Sequence, residues 1–400
     1  MRKFKLPTHY PPADKGRVVI LGLLAAMPFG GMVWQVLHHL VGFRRLGFDV
    51  WYVEDSRTTC MSPTSWQPVT EFSETVDFLA DIMGAIDLEE RWVFRPPGKP
   101  DDCYGALGAE GLGSLYRSAD AVFNLCASHR ARGPLEDASC LVQLQTDPVA
   151  AQIDAASGNE YVRAFLDRHD HLFTYGENIG HADCPIPTGG YRWHATRPPV
   201  VLDWWEAGEP TEPKRMTTVG NWRNKDKPVQ LNGETYRWQK SLEFAQFEDL
   251  PAKSPFPVEM SVIGMTVEEA VALLQKGWDI RNARLLSDAE SYRAYIRSSA
   301  GEFTVAKDQN VRLWSGWFSD RSACYLAAGR PVVTQDTGFG RVLPTGNGLF
   351  AFTNVDEAAD AITKIASDYD FHSRAARRIA ETYFDAEKVL GDIARTLGLL

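Results

Sequence analysis

The segment 18–43 is nearly uncharged and long enough to suggest a membrane span. The lysines and arginines ahead of it also imitate the start of a signal peptide. Pro28, Gly30 and Gly31 at its centre argue otherwise, because they divide it into two pieces of different period. Residues 18–24 form a continuous apolar run, as a strand buried on both faces requires. Val33, Val36, Leu37 and Leu40 then repeat at helical spacing. A strand, a glycine turn and a helix account for the segment, so no integral membrane span is expected.

The rest of the chain extends this unit. Strand 17–24, loop 28–31 and helix 32–46 lead to Gly47, placed as a C-cap glycine, and then to strand 48–53. That is a βαβ unit with parallel strands. Strands are predicted at 121–126, 141–145 and 172–175, with helices over 72–86 and 149–168. From 184 to 215 the prolines (Pro185, Pro187, Pro198, Pro199, Pro210 and Pro213) break all periodicity and mark a join between domains. Alternation resumes with strands at 216–220, 260–263, 303–306 and 331–334. Helices are predicted over 238–247, 267–276, 291–298 and 319–328, and 356–400 is almost wholly helical. With 400 residues, more than one core usually serves, the chain reads as α/β with two Rossmann-like parallel-sheet domains.

Net charge is −10 without a long basic run, so a protein that tracks along nucleic acid is not expected. The six cysteines contain no CxxC pair, so they are read as reduced and mostly buried, in a cytoplasmic protein. His169 with His171, and His181 with His194, lack a third ligand at metal-binding spacing and are read as surface histidines; no metal is expected.

In an open parallel sheet, ligands bind beyond the carboxyl ends of the strands. Three loops occupy such positions. Pro28–Gly31 offers Gly30 and Gly31 for close backbone approach, followed by free helix amides. Asn221 and Arg223 follow the strand at 216–220, where the guanidinium could fork a diphosphate, with Lys240 as a nearby point charge. The third loop runs through Trp317, Ser319, Asp320 and Arg321 into a helix, and returns after strand 331–334 as Gln335, Asp336, Thr337, Gly338 and Phe339. Ser319 or Asp320 suits an N-cap, an acid there could hold ribose hydroxyls, and Gln335 and Asp336 could bind a sugar.

The runs PFGGMVWQ, SDRSACYLAAGRPVVTQDTGFG and GNGLFAF, with the helical tail, resemble glycosyltransferases of the GT-B fold, nearest the group-1 branch. The resemblance covers most of the chain and is least informative from about 91 to 207. It implies an acceptor-binding domain over 1–207, a nucleotide-sugar-binding domain over 216–375 facing it across a cleft, and a terminal helix over 376–400 crossing back to the first domain. It also implies Gly30 and Gly31 near the donor phosphates, Arg223 and Lys240 as the basic pair, Asp320 on the ribose, and 335–339 as the sugar and phosphate loop. Two departures stand out. Cys324 occupies the place of a glutamate common in that branch, and 224–237 forms a long insertion between the basic pair.

Transfer of a sugar needs the departing nucleoside diphosphate stabilised, which arginine, lysine and helix amides can do without a metal or other cofactor. An inverting enzyme also needs a base, for which Asp55 and Asp147 are the candidates because each follows a strand-like run. The expected partners are a nucleoside-diphosphate sugar and an unidentified acceptor, with Trp34, Trp51, Trp66, Trp92 and Trp193 suggesting an aromatic acceptor surface. Three alternatives stand beside this: a GT-B nucleotide-sugar epimerase, a nicotinamide-dependent oxidoreductase, which lacks its GxGxxG, and a non-catalytic nucleotide- or carbohydrate-binding relative.

Overall fold

The computed structural model describes residues 5–99, 102–206, 208, 212, 214–223 and 227–400. The first sheet has eight strands: β1 (Arg17–Leu21), β2 (Asp49–Glu54), β3 (Trp92–Phe94), β4 (Tyr104–Gly105), β5 (Ala121–Leu125), β6 (Leu141–Gln145), β7 (His171–Thr174) and β8 (Trp193–Ala195). Their order is β4-β3-β2-β1-β5-β6-β7-β8, parallel except between β3 and β4. Val18, Val19, Ile20 and Leu21 are wholly buried at its centre, which is why that run carries no polar residue.

Six parallel strands form the second sheet: β9 (Met216–Asn221), β12 (Val258–Ile263), β13 (Asp279–Asn282), β14 (Gly301–Thr304), β15 (Val332–Gln335) and β16 (Leu349–Phe352). They run in the order β13-β12-β9-β14-β15-β16. Between β9 and β12 lies a hairpin, β10 (Val229–Leu231) and β11 (Glu234–Tyr236), which occupies the insertion. Asn232 and Gly233 turn it at φ 54° and 82°, the left-handed pair that a two-residue hairpin turn requires.

Several boundaries differ from the sequence expectation, each for a visible reason. β1 ends at Leu21, because Leu24, Ala25 and Ala26 give their N–H groups to the Tyr52 hydroxyl and the Glu54 carboxylate instead of a neighbouring strand. The first helix begins at Gly30, so the glycine pair is its first turn and not a loop. The helix expected over 149–168 is two, Ala150–Ala156 and Glu160–Leu166. Gly158 at φ 84° ends the first, and Asn159 caps the second through the amides of Tyr161 and Val162. The helix expected over 238–247 shrinks to Ser241–Phe244 followed by a 3-10 turn.

The C-terminal Ala386–Thr396 helix returns to the first domain and packs on Gly30–Arg45. Gly42 permits the approach: a Cβ there would stand 2.5 Å from Leu390 Cδ1. Val200 bonds to the chain on either side of Asp385, its N–H donating to Phe384 O at 2.7 Å and its carbonyl accepting from Ala386 at 2.9 Å. One apolar core runs through both halves; Trp34 and Trp205 of the first meet Tyr292 and Cys324 of the second within it.

No helix among the described residues is long and apolar enough to cross a membrane. All six cysteines are free, but only Cys60 and Cys324 are buried; the other four are half-buried. The histidines also differ from a surface reading. His181 is exposed and His171 and His194 are half-buried, whereas His169 is buried between Phe165 O and Asn124, and burial depresses it to about 4.

Candidate active site in the interdomain cleft

A cleft of about 580 Å³ opens between the carboxyl ends of the two sheets. The first domain contributes Gln35, Cys126, Thr146, Asp147 and Tyr175, and the second contributes Lys227, Trp238, Lys240, Lys307, Trp317, Asp320 and Arg321. Its rim is strained on the first-domain side. Cys126 and Ala127 stand at φ 58° and 55°, and Val149 at φ 90°, a conformation that β-branched side chains rarely adopt. Val149 is held there because its N–H donates to Gln152 Oε1 at 2.9 Å while its own side chain is buried.

The second-domain wall is cationic. Lys307 follows β14 and is buried, with Nζ 2.5 Å from Asp147 Oδ1 across the cleft and 3.7 Å from the centre of the Trp238 ring. Lys240 caps the Ser241–Phe244 helix, its Nζ 5.8 Å from the Trp317 ring, and no carboxylate among the described residues pairs with it. Burial, and after it the charges of Arg321 and Lys307, hold Lys240 well below the ordinary lysine value. Burial lowers Lys307 as well, and Asp147 only partly restores it. Lys240 is thus a buried amine without a carboxylate partner among the described residues, and Lys307 has Asp147 as its partner.

Arg321 is committed to the protein. Its Nε meets Glu302 Oε1 at 2.5 Å, and its two terminal nitrogens donate to Val219 O at 2.7 Å and Thr304 Oγ1 at 2.9 Å. Burial alone would lower its pKa, but the Glu302 carboxylate together with Tyr292 and Tyr325 raises it. Beside it Asp320 is the first residue of the Asp320–Ala327 helix, and Gln35 Nε2 reaches its Oδ2 from the other domain at 3.2 Å. Burial raises the Asp320 carboxyl. Ser319 stands at the N-cap without a side-chain capping bond. Trp317 crosses the cleft and donates from Nε1 to Thr146 O at 2.9 Å.

The remaining sequence candidates lie elsewhere. Gly30 and Gly31 face Tyr292, and a Cβ on Gly30 would stand 2.7 Å from Tyr292 Cβ and 2.9 Å from Asp288 O. Asn221 ends β9 in an exposed position, and Arg223 forks Glu269 at 2.5 and 2.7 Å beside a separate hollow of about 240 Å³. Gln335 donates to Glu243 at 2.6 Å and accepts from Ala306 at 3.2 Å. Asp336 closes a turn onto the Gly338 amide at 2.8 Å, Thr337 bonds Trp317 O at 2.6 Å, and Phe339 is buried against Phe318. The segment 335–339 therefore braces the Trp314–Trp317 loop from behind. Asp55 pairs with Arg95 at 2.9 Å, outside the cleft lining.

Sequence reading missed Gln35, Lys227, Trp238 and Lys307. For Lys307 a signal existed: it follows a strand of a parallel sheet, the position at which ligands are expected. Among the described residues no three His, Cys, Asp or Glu side chains converge as a metal site would need.

No family model and no curated protein matches the sequence. Solved structures do. An alpha-glucosyltransferase in complex with UDP and a 13-mer DNA matches at TM-score 0.55 and 10% identity, over 96% of this chain and 99% of that one. The Anabaena HepE protein in complex with UDP and glucose matches at TM-score 0.57 and 12% identity, over 96% and 100%. Sucrose-phosphate synthase from Thermosynechococcus elongatus matches at TM-score 0.52 and 11% identity, over 95% and 99%. Two facing parallel sheets, a helix that crosses back and overlap along nearly the full length identify the chain as having the GT-B glycosyltransferase fold.

Proposed function

We propose that the protein is a glycosyltransferase that takes a nucleoside-diphosphate sugar in the interdomain cleft and transfers the sugar to an acceptor hydroxyl. The observation that carries this reading is the lysine pair at the cleft wall, Lys240 without a carboxylate partner among the described residues and Lys307 with only Asp147 from the other domain. A diphosphate is the anion such a pair fits, and charge developing on it as the glycosidic bond breaks is met by groups already in place. No metal or cofactor has a role in this scheme. Asp147 faces Lys307 from the first domain. When a phosphate takes Lys307, the Asp147 carboxylate is released to accept the acceptor's hydroxyl proton. The acceptor oxygen then bonds the anomeric carbon, and the electron pair of the breaking C–O bond stays with the diphosphate. Asp320, on the Gln35 side, is the acid placed for donor hydroxyls.

Two fold relatives carry UDP, so UDP is the first nucleotide to try. Calorimetric titration of UDP, GDP, ADP and NAD into the protein tests the reading. One nucleoside diphosphate should bind, and Lys240→Met should weaken it about tenfold, the loss of one charge-assisted contact worth about 1.4 kcal/mol. Binding of NAD alone, or equal binding to the lysine variant, would overturn it.

A further inference from the structure

Beside the cleft, the first domain gathers arginines in a protein whose net charge is −10. Arg57 follows β2, and Arg130 and Arg132 follow β5, all at the carboxyl end of the sheet. Their two loops are tied together. Asp55 N–H donates to His129 Nε2 at 2.7 Å, and Arg132 Nη2 donates to Ser56 O at 3.1 Å. The carboxylate at this place, Asp55, is taken by Arg95 at 2.9 Å. Arg57, Arg130 and Arg132 have no ion-pair partner among the described residues. Arg57 is exposed at φ 58°, and Arg130 lies 3.5 Å above the Tyr161 ring and 5.4 Å from Phe165. Burial, then repulsion by Arg57, lowers Arg132 despite Asp55. Phe165 also lines the cleft, so Arg130 reaches its edge.

We infer that Arg57, Arg130 and Arg132 bind a phosphoryl group carried by the acceptor, at a distance from its reacting hydroxyl. The one carboxylate beside Arg57 and Arg132, Asp55, is already paired with Arg95, so these loops carry more positive than negative charge, and guanidinium forks suit the oxygens of a phosphate. Their position on the acceptor-facing half separates this charge from the lysines across the cleft. The inference rests on the transferase reading for the word acceptor, but the site itself does not.

The test is calorimetric titration of inorganic phosphate into the full chain at low salt, where such contacts are least screened. Arg57→Gln, Arg130→Gln and Arg132→Gln should each weaken phosphate about fivefold to tenfold. Arg130→Lys, which keeps the charge, should recover part of the loss and guards against a folding defect. Arg168→Gln, on the exposed Glu136 pair, should leave phosphate binding unchanged. Retention of phosphate binding in the arginine variants would overturn the inference, as would equal weakening by Arg168→Gln. Glycerol 3-phosphate in solution and phosphatidylglycerol vesicles then separate a soluble phosphate ester from a lipid headgroup. Binding of neither, relative to glycerol and phosphatidylcholine, overturns the proposal. UDP titration of the same variants is read separately: unaltered UDP binding with lost phosphate binding upholds both readings, and absent UDP binding in the wild type removes only the transferase.

Discussion

Two segments hold equivalent places in the two domains, each leading from the first-sheet or second-sheet strands into a helix that faces the other half. In the first domain Pro28–Gly31 meets Tyr292, whose ring and backbone neighbours fill the space in front of the glycines. In the second, the loop around Trp317 and Ser319 leads to Asp320 at the edge of an open cleft. What separates them is the opposing surface. Tyr292 comes from a helix, Ala289–Ser298, that packs on Gly30–Arg45, whereas Asp320 meets the latter through Gln35 and otherwise borders the open cleft. Glycine at a strand-to-helix turn therefore marks a close approach without saying whether a ligand or a side chain makes it.

The comparison breaks most readily at Gly30. Gly30→Ala should destabilise the protein by about 2–3 kcal/mol, as overpacking does where the neighbour is backbone, and lower the melting temperature by several degrees. Gly31→Ala, whose Cβ would meet nothing nearer than 3.5 Å, should be neutral or slightly stabilising. Equal losses in thermal melts would mean that the two glycines serve something other than the Tyr292 contact.

On the open side, Asp147→Asn sharpens the contrast with a split readout. It releases Lys307, so nucleoside-diphosphate binding should stay the same or tighten a fewfold, while transfer falls by about a hundredfold or more for want of the base. A merely structural Asp147 would move both together. Lys307→Met should do the reverse to binding, weakening it about tenfold.

The depressed lysines add a pH dependence. Lys240 and Lys307 have folded values below that of a free lysine, so between the folded and unfolded values the unfolded chain holds more protons. Stability contributed by these groups therefore rises with pH across that window and is lowest beneath it. A diphosphate favours the charged amines, so binding within the window should take up protons. Titrations in buffers of different ionisation enthalpy measure that uptake; Lys240→Met should reduce it, and buffer-independent heats would place the anion elsewhere.

Most of the architecture was legible because its signals are local. The apolar run of β1, the Pro-rich join and the alternation of strands and helices each follow from periodicity or from backbone restriction. Short strands such as β3 and β8 hold too few residues to show a period. The β10–β11 hairpin did carry a signal, Asn232-Gly233, hidden within what reads as a polar insertion. The site was less legible. Asp320, Trp317, Lys240 and Asp147 were visible as polar or aromatic residues after strands, and they do line one cleft. Which arginine reaches it could not be read locally, since Arg223 and Arg321 differ only in their distant partners, Glu269 and Glu302.

That pair of arginines supplies the smallest expected effect. Arg223 is about half exposed and bound to Glu269 beside a separate hollow, so Arg223→Ala should cost no more than about 0.5 kcal/mol in stability, the worth of a surface ion pair. Nucleoside-diphosphate affinity should change by less than about twofold, well under the factor of ten that a lost charge contact gives. A tenfold loss instead would show that the Trp222–Arg223 strand end swings toward the cleft when the donor binds, exchanging Glu269 for phosphate. The closed ion pair would then be the resting state of a second-domain phosphate contact, and Lys240 would share the diphosphate with it.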